Sequence, residues 1–258
     1  VIDIERILAP NPSLYTGPGT NTYLLRSRDE VIVVDPGPII ASHAANITAA
    51  VAGATVVGVI ATHTHPDHAP MANPLASALG APVMGFAEGP GFRPDVFLRD
   101  GDDVACGDLV IRAIHTPGHT PDHLCFLDRD TLLTGDHIMG GSTVIIEDAA
   151  AYLDSLYRVR DLGVRRIEPG HGDAMDDAGR VVTQYIEHRL EREREIVAAV
   201  VGGATTVGEL VDLVYAAVPM GLRPAATHQV RVQLIKLSGD GSVWFDDDGT
   251  ESGQVRAR

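Results

Sequence analysis

The chain has 258 residues, 45% of them hydrophobic and only 5% aromatic, a composition that supports one large α/β domain with room for a small appendage. No run of about 18 apolar residues occurs, which excludes a membrane-spanning helix. With 35 acidic residues against 20 basic ones, the formal charge of -15 gives no global pull toward nucleic acid or anionic lipid.

The opening residues Val1 to Arg6 lack a basic region followed by a long apolar stretch, so no signal peptide is read there. Cys106 and Cys125 are too few for a disulfide framework and lack zinc-ligand spacing, so both read as small buried groups in a reducing, cytoplasmic protein. Residues 19–25 and 31–37 predict two strands joined by a turn around Ser27-Arg28-Asp29. The second strand is β-branched and closes on Asp35. Ile40, Ala44, Ile47 and Val51 recur at helical spacing as far as Gly53, which suits a C-cap.

An apolar run from Val56 to Ala61 then delivers Thr62-His63-Thr64-His65-Pro66-Asp67-His68, with four metal-ligating side chains in the six positions 63–68. Side chains of an extended backbone alternate, so His63 and His65 converge on one point. Asp67 and His68 turn to a second, and two nitrogen- and carboxylate-rich points on one short loop predict two metal ions roughly 3.5–4 Å apart.

Residues 85–100, rich in Gly, Pro and Phe, read as a surface loop near this site. A strand over 108–114 leads into His115-Thr116-Pro117-Gly118-His119-Thr120-Pro121-Asp122-His123, where Gly118 permits a close turn and His119 is placed to reach the metals. A second strand-aspartate, helix, strand-histidine series follows. Residues 131–135 end on Asp136, Asp148 caps a helix carrying Leu153, Leu156, Tyr157 and Leu162, Gly163 stops it, and residues 164–168 lead to His171. The repetition implies two related halves whose strand ends face one another, where α/β sheets place their chemistry.

A long amphipathic helix is predicted over 176–200, with Val182, Ile186, Leu190 and Val197 on its inner face, and Gly202-Gly203 ends it. The domain division expected is therefore 1–201 and 202–258. Beyond the boundary, a capping box of Thr206 and Glu209, a second helix with Val230, Leu234 and Leu237, a glycine turn and the strand 243–245 make a winged-helix-like unit. The residues from Asp246 on read as frayed. This unit holds five basic residues against seven acidic ones, which favours a lid or a homodimer contact over duplex binding.

Reach sorts seven ligands into two sites, with His63, His65 and His119 on one zinc, Asp67, His68 and His171 on the other, and Asp136 bridging. Asp67 and Asp136 are the carboxylates expected to serve catalysis. Such a centre generates a bridging hydroxide at neutral pH, with no need of a serine or cysteine nucleophile.

The motifs THTHPDH, TPGHT, TGD and PGHG, preceded by Asp35, resemble the signature segments of the metallo-β-lactamase superfamily over about residues 15–175. GTNTYL at Gly19, TPGHTPDH, the Gly141–Asp148 stretch, YIEHR at Tyr185 and the winged unit are similar to its lactamase-beta-2-like branch. The resemblance implies an αββα sandwich, two Zn2+ (iron or manganese also suiting the donor set), and an Asp35 that orients a ligand loop. Lactamases with a cysteine ligand match poorly, because the corresponding residue is Asp136. Branch members include a single-stranded-RNA endonuclease and carrier-protein thioesterases, so the expected activity is hydrolysis of single-stranded RNA, with thioester hydrolysis, glyoxalase II-like or on an acyl carrier, as the alternative. A nucleic-acid-binding regulator and a structural relic are weaker readings, opposed by the acidic winged unit and the intact ligand set. His123 and His188 stand as substrate-contacting or supporting residues; His43, His115, His137 and His228 read as surface or core histidines.

Overall fold

A computed structural model describes residues 3–141 and 143–258; Val1 and Ile2 of the opening stretch and Ser142 of the Gly141–Asp148 stretch lie outside the described residues. The first half forms β1 (Asp3–Leu8), β2 (Asn21–Ser27), β3 (Glu30–Val34), α1 (Ala41–Ala50), β4 (Thr55–Ile60), α2 (Ala72–Leu79), β5 (Val83–Gly85) and β6 (Val96–Phe97). Its six strands lie side by side in sequence order, antiparallel from β1 to β3 and parallel from β3 to β6. The second half forms β7 (Asp103–Cys106), β8 (Leu109–His115), β9 (Leu124–Asp128), β10 (Thr131–Gly135), α3 (Ala149–Asp161) and β11 (Arg166–Pro169). Its sheet runs β11-β10-β9-β8-β7, with β10 and β11 parallel.

The period of two in β2 and β3 explains the layering. Tyr23, Leu25, Ile32 and Val34 face the second sheet through Ile111, Leu124, Phe126 and Leu133. Leu24, Val31 and Val33 face the opposite way onto Ile47 of α1, Val51 just past its end and Leu75 of α2. The second sheet is covered by α3 and by α4 (Ala178–Val201), through Leu156, Val159, Val182 and Ile186. The architecture is the expected αββα sandwich, with the central strands buried on both faces and β1, β7 and part of β8 open to solvent on one side.

The last turns of α4 belong to a different core. Ile196 and Val200 pack with Leu210 of α5 (Val207–Val214), with Val230 and Leu234 of α6 (Arg223–Gly239), and with Val243 and Val255 of the hairpin β12 (Val243–Asp246) and β13 (Gln254–Ala257). Both halves of the capping box at Thr206 and Glu209 are made. The sequence reading of a frayed end from Asp246 is corrected here: β13 pairs with β12 and buries Val255. The reading of residues 85–100 as plain loop also needs correction, since Val96–Phe97 adds a parallel edge strand. The strands β1, β7 and β9 and the helix α2 had no sequence-based counterpart. Among the described residues, no helix is long and apolar enough to cross a membrane.

Candidate metal centre

Five chain segments leave the carboxyl ends of β3, β4, β8, β10 and β11, and the strand directions bring all five to one rim of the sandwich. They carry Asp35, then His63 to His68, then His119, Asp136 and His171. Two backbone bonds lock the halves there, from the Leu124 amide to the Thr62 carbonyl and from the Asn21 amide to the Gly170 carbonyl, both 2.8 Å. Gly118 explains how His119 reaches inward: its φ is +129°, and a Cβ at this position would lie 2.3 Å from Cα of Tyr152.

The seven residues form two groups that share one carboxylate. Ligand atoms of His63, His65, His119 and Asp136 lie within 4.8 Å of one another, as do those of Asp67, His68, Asp136 and His171. Asp136 presents its two oxygens in opposite senses: Oδ2 is 3.6 Å from Nε2 of His119, while Oδ1 is 3.3 Å from Nε2 of His68 and 3.4 Å from Nε2 of His171. Oδ2 of Asp67 approaches Nε2 of His171 to 3.0 Å.

The ring orientations are set from behind. Nδ1 of His68 donates to Oδ2 of Asp35 (2.9 Å), Nδ1 of His119 to the Ile145 carbonyl (2.6 Å), and Nδ1 of His171 to the Gly19 carbonyl (3.0 Å). The Thr62 hydroxyl donates to Asp35, so its oxygen accepts from Nδ1 of His63. All four Nε2 atoms are thereby aimed at the clusters, an arrangement that fixes tautomer and direction for metal ligation. His65 instead turns Nδ1 inward, 3.1 Å from Nε2 of His119.

Asp35 is held off the clusters by its own backbone, at φ +51°, where its carboxylate accepts the Thr62 amide and hydroxyl. His123 is fully buried, with Nδ1 on the Thr116 hydroxyl and Nε2 accepting the Asp136 amide. Both ring nitrogens of His123 are thus engaged behind the clusters, which favours its supporting role. His188 is half-buried on the wall of the adjoining cavity.

Electrostatics divide the groups. Burial pushes His63 well below the ordinary imidazole value, and burial outweighs Asp136 in lowering His119. Burial also acts on His68, but the carboxylates of Asp136, Asp67 and Asp35 overcome it and hold the ring well above its usual value. His171 follows, to about 9, as burial is outweighed by Asp136 and Asp67. Against burial, His68 and His171 in turn hold Asp67 down to about 2 and Asp136 well below the carboxylate range. The carboxylates of Asp35, Asp67 and Asp136 thus draw protons toward this pair of rings, whose Nε2 atoms stand 3.2 Å apart.

A divalent cation fits this donor set. Nε2 of His63 is buried without a hydrogen-bond partner, a costly state that a coordinated ion relieves. Imidazole nitrogens and carboxylate oxygens suit zinc, and iron or manganese as well.

Beside the clusters opens a cavity of about 820 Å3. Its walls come from residues 11–16 of the sandwich, the stretch Thr143–Glu147, helix α4 through His188, Arg189 and Arg192, and the winged unit through Tyr215, Val218, Leu222, Ala226, His228 and Gln229. Three successive carbonyls tie these walls together. Val144 accepts from Arg189, Ile145 from His119, and Ile146 from both His228 and Gln229. His228, read from sequence as a surface or core histidine, is a cavity residue. Tyr15, Tyr215 and Gln229 had no sequence signal, while YIEHR pointed to His188 and Arg189 only through resemblance.

Residues 15–171 match the metallo-beta-lactamase superfamily model, and residues 206–252 match that of the beta-lactamase associated winged helix domain. The chain is 34% identical to the beta-lactamase-like protein 2 homolog of Caenorhabditis elegans, over 93% of this chain and 85% of that protein. It is 32% identical to the atrochrysone carboxyl ACP thioesterase of Aspergillus chevalieri, over 95% and 84%. In three dimensions it is similar to a metallo-beta-lactamase family protein of Thermus thermophilus, at TM-score 0.81 and 21% identity over 99% and 98% of the two chains. With its sandwich, its winged helix and its clustered histidines and aspartates, the chain belongs to the metallo-β-lactamase superfamily, among relatives of beta-lactamase-like protein 2, and is a metal-dependent hydrolase.

Proposed function

We propose that the protein is a binuclear zinc hydrolase of acyl thioesters. The observation that carries this reading is the cavity beside Asp67 and Asp136, whose walls between the clusters and α4 include Leu14, Tyr15, Met139, Val144, Ile145 and Val218. Such a surface receives an acyl chain by apolar burial. It offers a long polyanion little beyond a single point of charge: of its two arginines, Arg192 is already shared between Val214 and Glu195. The thioesterase relative, matched over most of both chains, supports the same substrate class. RNA cleavage, the first expectation from resemblance, therefore takes second place.

In this reading His63, His65 and His119 would hold one ion and Asp67, His68 and His171 the other, with the Asp136 carboxylate available to both. The bound ions supply Lewis-acid charge and a water of pKa lowered toward 7. Asp35, Thr62 and the Gly19 and Ile145 carbonyls keep the imidazoles aimed at them, and the apolar walls hold the acyl chain and exclude bulk water. A thiolate, whose conjugate acid has a pKa near 8.5, departs without a proton, so the reaction needs no general acid. Residues 1–201 form the catalytic unit, and residues 202–258 supply the winged unit that closes one side of the cavity.

The test is a parallel assay of zinc-loaded protein with an S-acyl N-acetylcysteamine and a single-stranded oligonucleotide, each at low and high salt. The thioester is turned over at a rate that barely responds to salt. RNA cleavage without thioester turnover, with a double-logarithmic salt slope of about -0.7 per phosphate gripped, overturns the reading.

A further inference from the structure

Arg189 is a buried cation without a counterion. It lies on α4 at the cavity wall and is 5% exposed. Its Nη2 donates to the Val144 carbonyl at 2.5 Å and its Nη1 to the Gln229 side-chain oxygen at 3.3 Å, while the guanidinium stands 4.8 Å over the Tyr152 ring. These partners are neutral, and Nε is buried with no partner at all. Among the described residues Arg189 makes no ion pair, in a chain where acids outnumber bases 35 to 20. Other half-buried cations here do find carboxylates, as Arg231 does with Asp247 and Lys236 with Glu193.

The surroundings extend the positive region. Arg192, one turn along the helix, also has a buried Nε without a partner, although its Nη1 is shared between Val214 and Glu195. His188 on the same wall is pulled down by burial and then by Arg189 and Arg192. The acid on this wall outside the metal clusters, Glu147, is exposed and not paired with Arg189. A guanidinium has five donors, of which Arg189 spends two on neutral oxygens, and a desolvated cation of this kind is balanced when a ligand brings the opposite charge.

Building on the thioester reading, we infer that Arg189, flanked by His188 and Arg192, is an anion subsite that takes a carboxylate or phosphate group of the substrate at a point removed from the scissile bond. The substrate class is thereby narrowed to acyl thioesters that carry such a group, either on the acyl chain or on the thiol arm. One cavity holds the clusters, the apolar side chains and Arg189 together, which fits one molecule that carries both a thioester and a charge.

The experiment compares four thioesters on the zinc-loaded enzyme: a neutral acyl chain and an ω-carboxyacyl chain of equal length, each on N-acetylcysteamine and on phosphopantetheine. An anionic form exceeds the doubly neutral one in kcat/KM by at least about tenfold, chiefly through KM, and the arm that gains identifies the source of the charge. Arg189→Gln removes that preference. His188→Glu, at a half-exposed position that tolerates substitution, reduces it as well and keeps the test available where Arg189→Gln does not fold. The same kcat/KM for charged and neutral substrates, or a preference that survives both substitutions, overturns the inference while leaving the thioester reading intact. Should no thioester be hydrolysed, that reading falls and the subsite is still decided by calorimetric titration of the zinc-loaded protein with succinate and with inorganic phosphate. Weaker binding of either anion to His188→Glu than to wild type supports it, and equal binding of both overturns it.

Discussion

The imidazole of His123 accepts the backbone N–H of Asp136 at 3.2 Å, so the carboxylate shared by both clusters is anchored by a ring that touches no ligand position. His123→Ala is expected to leave both metals bound at saturating zinc while lowering zinc affinity about 10- to 100-fold, as is usual when a supporting partner of a metal ligand is lost. Competition with a chromogenic chelator measures this. Unchanged affinity with a raised KM would place His123 against the substrate instead.

Asp136→Asn is expected to keep the fold and lose the centre. It removes the single negative charge facing both His119 and the His68–His171 pair, so metal content falls toward one ion per chain or less and activity drops by about two orders of magnitude or more. Elemental analysis beside the assay checks it, and two ions with full activity in the variant would remove the bridging role.

Gly170 lets the backbone pass close against the clusters. A Cβ there would stand 2.8 Å from both Oδ1 of Asp136 and Cε1 of His68, whereas one at Gly179, in the first turn of α4, would meet nothing within 4 Å. Gly170→Ala should therefore abolish stable metal binding. Gly179→Ala should leave it and add about 0.5–1 kcal/mol of stability, read as a higher unfolding midpoint.

Metal-free protein should lose stability as pH rises. His171 sits at about 9 in the folded chain against an ordinary 6.5, so its contribution is complete below 6.5 and disappears as pH climbs through 9. His68 is raised for the same reason and acts in the same direction. Zinc binding at pH 7 should in consequence expel at least one proton from this pair of rings, which calorimetry in buffers of different ionisation enthalpy would reveal. A count of zero would contradict the imidazolium assignment.

The histidine-rich loop was legible from sequence because its four ligands lie in six consecutive positions at a strand end, where alternation alone sorts them. His119, Asp136 and His171 followed because each comes just after an apolar strand. Arg189 was not legible in the same way: its partners Val144 and Gln229 lie 45 and 40 residues away, so on the helix it reads as one more arginine among acids. Strand β13 carries only one buried apolar residue, Val255, after an acidic run, which leaves no periodic signal. Helix α2 has eight residues and no side-chain cap, and β1 is a largely exposed, charged edge strand; both are held by tertiary contact more than by local pattern.

The three neighbouring carbonyls of Val144, Ile145 and Ile146 have a consequence for how this molecule can be divided or recombined. Ile146 answers to the winged unit and Ile145 to His119, so a graft that changes His228 or Gln229 shifts the peptide that aims a metal ligand. A truncation after residue 201 would deliver a sandwich whose His119 has lost its distant guy-rope, and a chimera carrying a foreign winged unit would inherit altered metal affinity along with altered walls. The two units are not interchangeable parts, because one short run of backbone serves both.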